Sequence, residues 1–147
     1  MVIATFPTFG YSQKSLPEKL GYKPELSIVF IALPHQLDEL PDTVDFAKVA
    51  RRQDWSRPLG PNRFDMIHAF SMSRAEIAAG LPKLLRALNE RGAIWLSWPK
   101  KSAKVPTDLT EDVVRGEALK LGLVDIKVAA IDTTWSGLKL VRRLSST

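Results

Sequence analysis

An apolar run without alternation, LSIVFIAL at residues 26–33, constrains the fold more than any other part of the sequence. Apolar and β-branched residues at consecutive positions are typical of a strand that is buried on both faces of a sheet. Such strands belong to mostly parallel sheets with a layer packed on each side, and Pro34 ends this one. A chain of 147 residues is long enough for one domain of this kind.

The remaining strand patterns alternate with helix patterns along the chain. Strands are predicted at residues 43–50, 64–70, 93–98, 123–132 and 138–144, and the one at 43–50 alternates, as an edge strand does. The short connection TTWSG at 133–137 joins the last two strands as an antiparallel hairpin. We therefore predict an α/β fold, a three-layer Rossmann-like sandwich with a mostly parallel six-stranded sheet.

Two helices are predicted from their capping residues. The first begins after Ser73, with Glu76 three residues later, is expected to kink or split at Pro82, and is followed by an exit turn at 89–92. The second begins after Asp108, with Glu111 three residues later, and ends at Gly122. A short helical turn is also expected at 16–20.

Composition bounds the domain plan and the function classes. Proline, glycine and serine are frequent in residues 1–25, which we predict to be an N-terminal arm before a single domain at 26–147. The absence of cysteine excludes disulfides and thiol catalysis and favours a cytoplasmic location. The first residues do not read as a secretory signal, and the longest apolar run is too short for a membrane span. The net charge of +5 suits an anionic partner, although solubility alone explains it.

The stretch FDMIHAFSMSRAEIAAGLPKLLRALNERGAIWLSWPK at 64–100 resembles the later half of the class I methyltransferases. That resemblance implies the strand order 2-1-3-4-6-5, with the C-terminal hairpin strand antiparallel. At closer range, residues 10–24, 98–128 and 134–143 resemble a bacterial domain family of unknown function, number 3052. This second resemblance does not indicate which activity the protein has. The chain departs from the methyltransferases in the cofactor site, since no glycine occurs from residue 23 to residue 59 and an isolated Asp45 is weak evidence for a ribose ligand.

No other catalytic or metal-binding pattern is present in the sequence. Glycine-rich phosphate loops, the nucleophile elbow G-x-S-x-G and the zinc motif H-E-x-x-H are all missing. His35 and His68 lack metal-ligand spacing, and His68 is expected to be a hydrogen-bonded core residue. We expect no cofactor, no metal and no catalytic residue, with a reduced methyltransferase-like enzyme as the third of three hypotheses.

Two sets of residues are candidates for binding. One is the basic loop at 51–63, where an aromatic lies among arginines, as in proteins that grip a phosphate backbone and stack a base. Its candidates are Arg51, Arg52, Trp55, Arg57 and Arg63. The other is the rim at the carboxyl ends of the fourth and fifth strands, where ligands collect in sheets of this topology. Its candidates are Trp98, Lys100, Lys101, Lys104, Thr134, Trp135 and Ser136.

The rim has a functional and a structural interpretation. As a functional site, it needs a crevice between residues 98–104 and 134–137 with a lysine facing into it. As a structural turn, it has its lysines paired with Asp108, Glu111 or Asp112 and Trp135 packed as an anchor. We favour a non-catalytic domain that binds a small anionic ligand or a partner protein at this rim, and nucleic-acid binding by the basic loop is the alternative.

Overall fold

The computed structural model describes residues 14–144. Six strands form one sheet, and they are β1 Ser27–Ile31, β2 Lys48–Arg52, β3 Phe64–Phe70, β4 Leu88–Pro99, β5 Leu123–Ala130 and β6 Trp135–Arg142. The helices are α1 Leu16–Lys19, α2 Arg74–Ala87 and α3 Glu111–Leu119, and short 3-10 turns lie at His35–Leu37, Leu40–Asp42 and Lys101–Ala103. Among residues 14–144, no helix has the length and apolarity needed to cross a membrane.

The sheet has the order β2-β1-β3-β4-β6-β5, which confirms the predicted topology. β1 pairs in parallel with β2 and β3, and β3 pairs in parallel with β4. β6 lies antiparallel between β4 and β5, because the short connection from β5 allows only a hairpin. β1 to β4 therefore end at one edge of the sheet, together with β5, and we call it the carboxyl edge.

Apolar cores cover both faces of the sheet. On one face, α2, α3 and the connection after β2 pack on strand residues such as Val29, Ile67 and Leu96. On the other face, residues that precede β1 or follow it pack on Phe30 and Trp95. Leu20 and Tyr22, from the segment predicted as an arm, belong to this second core. Residues 1–13 of that segment lie outside the described residues.

The second and last strands differ from their predicted limits. The alternation at 43–50 predicted a strand, but only Lys48–Arg52 pairs, because Val44 and Phe46 instead pack on the second core. The last strand was predicted at 138–144 and lies at Trp135–Arg142. The carboxylate of Asp132 accepts the backbone N–H groups of Thr134 and Trp135 at 2.8 and 2.6 Å, so the turn closes earlier than predicted.

The exit turn predicted at 89–92 is wrong, since β4 already begins at Leu88. Phe64 lies opposite Leu88 while Met66 lies opposite Ala93, so extra residues bulge out of β4 here. The guanidinium of Arg142 donates to the carbonyl oxygens of residues 85, 88, 89 and 90 at 2.8 to 3.1 Å. A side chain more than fifty residues away thus satisfies the carbonyls at the end of α2 and in the bulge.

Two helix predictions also need correction. α2 runs unbroken through Pro82, so the predicted split does not occur. The N-cap of α3 is Thr110, whose hydroxyl accepts from the N–H of residue 113, and not Asp108. Asp108 instead accepts the backbone N–H of Arg74 at 2.7 Å and so satisfies the first turn of α2. The N-cap at Ser73 and the left-handed glycine at Gly122, with φ +76°, are confirmed.

Candidate functional site at the carboxyl edge

The two segments of the predicted rim are bonded directly to each other. Pro99 lies opposite Trp135 in the antiparallel ladder, and the N–H of Lys100 donates to the carbonyl oxygen of Thr134 at 2.8 Å. The crevice predicted between these segments is therefore absent from the described structure. Trp135 is buried and packs edge-on against Phe70, with ring centroids 5.4 Å apart, as a turn anchor does.

The lysines of the rim nevertheless have no carboxylate partner. Lys101 and Lys104 are exposed and Lys100 is half-buried, and none of them forms an ion pair with any residue of the described range 14–144. Lys104 is left-handed, with φ 56°, and ends the 3-10 turn that carries Lys101. The structural interpretation predicted pairs between these lysines and the acids of α3, and those pairs do not form.

The acids beside these lysines are engaged elsewhere. Glu111 and Asp112 bind the guanidinium of Arg115 at 2.5 and 3.0 Å, and Asp108 accepts the backbone N–H described above. Asp132 accepts two N–H groups of its own turn. These interactions engage the carboxylates, and none of the four pairs with a lysine of the rim.

A cavity of about 390 Å³ lies on the α3 side of the rim. It is lined by Trp98, Pro99, Lys101, Leu109, Thr110, Glu111 and Asp112. Trp98 and Lys101 are the only members of the predicted rim set that line it. Trp98 is only 5% exposed and Trp95 lies in the opposite core, so these two indoles point to different faces of the sheet.

A second cavity, of about 500 Å³, lies at the carboxyl ends of β1 and β2. It is lined by Leu33, His35, Asp38, Arg51, Arg52 and Gln53. Asp38 is paired with Arg51, and His35 Nδ1 lies 2.7 Å from the same carboxylate. The hydrogen bond from Arg51 is the main cause that lowers the pKa of Asp38. Arg52 forms no ion pair within residues 14–144, and its guanidinium donates to the carbonyl oxygen of Arg51 at 3.2 Å.

The arginines of this second cavity were predicted from the sequence as binding residues, but the location of the cavity was not predicted. Arg51 and Arg52 lie in β2 and not in the predicted loop. His35, Asp38 and Gln53 were not predicted as site residues, although each follows a strand at its carboxyl end, which is a signal that the sequence contains. Their convergence depends on the parallel pairing of β1 with β2.

Trp55 is not an exposed stacking platform. Its indole is 8% exposed, belongs to the first core, and donates from Nε1 to the carbonyl oxygen of Phe70 at 2.9 Å. It packs on α2 at Gly80, where a Cβ atom would lie 2.3 Å from the indole. Arg57 and Arg63 remain exposed, but the aromatic that would stack a base belongs to the core.

A buried hydrogen-bonded chain of three polar side chains crosses the second core. The hydroxyl of Tyr22 lies 2.7 Å from His68 Nδ1, and His68 Nε2 lies 2.9 Å from the hydroxyl of Ser97. Burial lowers the pKa of His68 to about 3, so the imidazole is neutral, and burial raises the pKa of Tyr22. His68 and Ser97 are fully buried, which confirms the core role predicted for His68. All three side chains of this hydrogen-bonded series are buried.

No protein-family profile matches the chain, and no curated protein is similar to it in sequence. Solved structures are similar in fold. A SAM-dependent methyltransferase from Aquifex aeolicus superposes with a TM-score of 0.65 at 15% identity, over 84% of this chain and 88% of that chain. This protein has a methyltransferase-like Rossmann fold. The family of unknown function stays a prediction.

Two further structures show the same likeness. Magnesium protoporphyrin IX methyltransferase from Synechocystis PCC 6803, with bound SAH, gives a TM-score of 0.56 at 15% identity, over 81% of this chain and 75% of that chain. A chain in a complex of the Haloferax volcanii Trm112 methyltransferase activator gives 0.62 at 10% identity, over 85% of each chain. At these identities the likeness establishes the fold and not the activity.

The residues at the cofactor position of this fold do not fit adenosylmethionine. Ala32, with a Cβ and φ 58°, follows β1 where methyltransferases have glycines, and Leu33 and Pro34 come next. At the end of β2, Arg52 and Gln53 stand where an acid would bind the ribose hydroxyls. The carboxylate of Asp54 is held by the N–H and hydroxyl of Ser56. The glycine turn and the acidic ribose ligand of the methyltransferase cofactor site are therefore missing, although a cavity lies at this position.

The sequence contains no pattern of metal ligands. Between residues 14 and 144, no three side chains of His, Asp or Glu converge as metal ligands would. His35 and Asp38 form a pair on the surface without a third ligand.

Proposed function

We propose that this protein is a non-catalytic Rossmann-like domain that binds a small anionic ligand at the carboxyl edge of its sheet. One observation carries the proposal. Lys100, Lys101 and Lys104 have no ion pair with the described residues, while the neighbouring carboxylates are held by Arg115 or by backbone N–H groups. Cations with no internal partner attract an external anion, at the edge where this fold class binds its ligands.

The two cavities of this edge have the size of small-molecule sites, which occupy roughly 300–1,000 Å³. The one beside Lys101 offers an indole edge, a proline and a lysine, and the carboxylates of Glu111 and Asp112 that also line it are bound by Arg115. The one beside Arg52 offers a guanidinium and the amide of Gln53. An anionic ligand with a flat apolar part would use both kinds of contact. We assign the anionic group to Lys101 and the apolar part to Trp98.

A protein partner at the same edge is the second candidate. The observation that favours it is the structural likeness to a chain in the complex of the Trm112 methyltransferase activator. A methyltransferase fold without a cofactor cradle retains surfaces that can hold a partner. Nucleic-acid binding by residues 51–63 loses its aromatic contact through the burial of Trp55. A reduced methyltransferase-like enzyme ranks third because Ala32 and Arg52 stand where methyltransferases have a glycine and an acid.

The first experiment is native mass spectrometry of the freshly purified full chain, followed by the double variant Lys100→Ala/Lys101→Ala. We expect a retained anion or a bound protein in the wild type and its loss in the variant. The variant should keep its thermal midpoint, because exposed substitutions change the free energy of unfolding by about 0.5 kcal/mol or less.

The control is Lys48→Ala/Lys83→Ala, which removes two lysines away from the rim and should retain the same mass. If the rim variant retains the ligand or partner as the wild type does, the proposed site is wrong. A retained mass of adenosylmethionine or adenosylhomocysteine would contradict the argument from Ala32 and Arg52.

A further inference from the structure

Three lysines that the sequence analysis did not single out gather on the second face of the sheet, and we call them the lysine cluster: Lys23, Lys127 and Lys139. Lys127 and Lys139 lie directly opposite each other in the β5–β6 ladder. Side chains at such positions start about 5 Å apart, and like charges there are destabilising. A repulsive pair in the middle of the hairpin calls for a compensating interaction.

The two ammonium groups converge on the end of α1. Lys127 Nζ donates to the carbonyl oxygen of Lys19 at 2.7 Å. Lys139 Nζ lies 3.2 Å from the point where a Cβ on Gly21 would be. Gly21 has φ +75°, a backbone conformation that favours glycine, and its missing side chain leaves room for the ammonium. Lys23 follows two residues later, at the same turn.

None of these lysines forms an ion pair with another residue of the range 14–144. The ammonium of Lys139 is half-buried, yet within residues 14–144 it has neither a hydrogen bond nor an ion pair. Nearby carboxylates are directed elsewhere: Glu18 accepts from Ser15, and Asp125 binds Arg115 at 3.1 Å. The hydrogen bond to α1 occupies one proton of Lys127, and the other donors of the cluster stay available.

The electrostatic consequence is visible at Lys139. Burial lowers the pKa of this lysine, and the charges of Lys127 and Lys23 lower it further. The cluster thus holds repelling positive charge that an anion would relieve. We propose that Lys23, Lys127 and Lys139 bind a phosphate group, either as a free phosphate anion or as part of a nucleic-acid strand.

Phosphate is the anion that matches this geometry. Free phosphate carries more than one negative charge, and each phosphodiester of a nucleic-acid strand carries one. Both have several acceptor oxygens, so one group can accept from two or three ammoniums, and lysine binds it as a point charge. Two lysines of the cluster lie on β6 and on β5, the outermost strand of the sheet. A nucleic-acid strand can approach from the β5 side as readily as a small anion. This site is separate from the cations of the carboxyl edge and does not rest on the proposed function.

The test uses the full chain and two probes, inorganic pyrophosphate and a short fluorescent single-stranded oligonucleotide, each titrated at several salt concentrations. We expect at least one probe to bind the wild type. Lys127→Gln/Lys139→Gln should weaken that binding about tenfold and reduce the salt slope of oligonucleotide binding by about 1 per lysine removed. Lys48→Gln/Lys83→Gln, which removes two lysines outside both the cluster and the rim, is the matched control and should bind the probe as the wild type does.

The two probes distinguish the source of the phosphate. Binding of pyrophosphate alone identifies a small anion, whereas oligonucleotide binding that pyrophosphate competes identifies a strand. Lys23→Gln, which removes an exposed lysine, gives a second variant if the double variant fails to fold, and it should also weaken binding. In the wild type, NMR of the Lys139 side chain should show that its pKa rises when the probe binds. A probe that binds elsewhere on the protein would leave this pKa unchanged.

The proposal is overturned if neither probe binds the wild type at low salt, or if the cluster variants bind as tightly as the wild type. It is also overturned if the control variant Lys48→Gln/Lys83→Gln loses binding to the same extent. Failure of the cluster leaves the rim proposal standing, because the rim is tested by its own pair of lysines and its own retained ligand.

Discussion

Acid should destabilise this protein through one buried histidine well before its carboxylates titrate. His68 is fully buried between Tyr22 and Ser97, and burial lowers its pKa to about 3 from an unfolded value of 6.5. Between these values the unfolded chain binds a proton that the folded chain does not, so stability falls as the pH falls. The loss approaches about 1.4 kcal/mol per pH unit and reaches about 2 kcal/mol at pH 5 relative to pH 7.5.

Urea unfolding at pH 7.5, 6.5, 5.8 and 5.0 measures this loss. The window stops at pH 5 because unfolded carboxyl groups begin to titrate below it. The control variant is His35→Gln, which removes the exposed and only other histidine of the sequence and should leave the slope unchanged. His68→Gln should be less stable at pH 7.5 but should lose most of the pH dependence in this window.

A direct observation accompanies the stability curve. In His35→Gln, His68 is the sole histidine, so its ring proton resonance is assigned without ambiguity. That resonance should not titrate between pH 8 and pH 5. A titration midpoint above pH 5.5, or equal pH slopes in His68→Gln and the wild type, would refute the link between burial and acid sensitivity.

Two further predictions compare matched sites. Gly80→Ala places a Cβ against the indole of Trp55 and should destabilise the protein by roughly 1–3 kcal/mol, with a shift in tryptophan fluorescence. Gly116→Ala in α3 has open space around it and should stabilise the protein by about 0.5–1 kcal/mol. Equal thermal midpoints of the two variants would contradict the packing of Trp55 on Gly80. Thr110→Ala should lower the free energy of unfolding by about 1 kcal/mol and increase amide exchange in the first turn of α3. Asp108→Ala should increase amide exchange in the first turn of α2 instead. Increased exchange in α3 caused by Asp108→Ala would show that Asp108 caps α3, as the sequence predicted.

Local patterns and chain connectivity determined the architecture of this protein. The unbroken apolar run of β1 requires cover on both faces, and the short turn before β6 permits only an antiparallel neighbour. The strand order came from the resemblance to the methyltransferases, and the structure confirms it. Core roles for His68 and Trp95 follow from their places in buried strands. The missing glycines after β1 were visible in the sequence, and the structure adds a left-handed Ala32 at that point.

The tertiary structure decided which side chains meet, because partners distant in the chain are brought together only by packing. Trp55 reads as an exposed aromatic among arginines, yet Gly80 on α2 opens a place for it in the core. Asp108 reads as the cap of α3, yet the start of α2 takes its carboxylate because that N–H also needs an acceptor. The lysine cluster depends on the register of β5 against β6 and on the position of α1, and neither is encoded by local spacing. Charge and capping potential can be read along a sequence, but their partners are selected by long-range contacts.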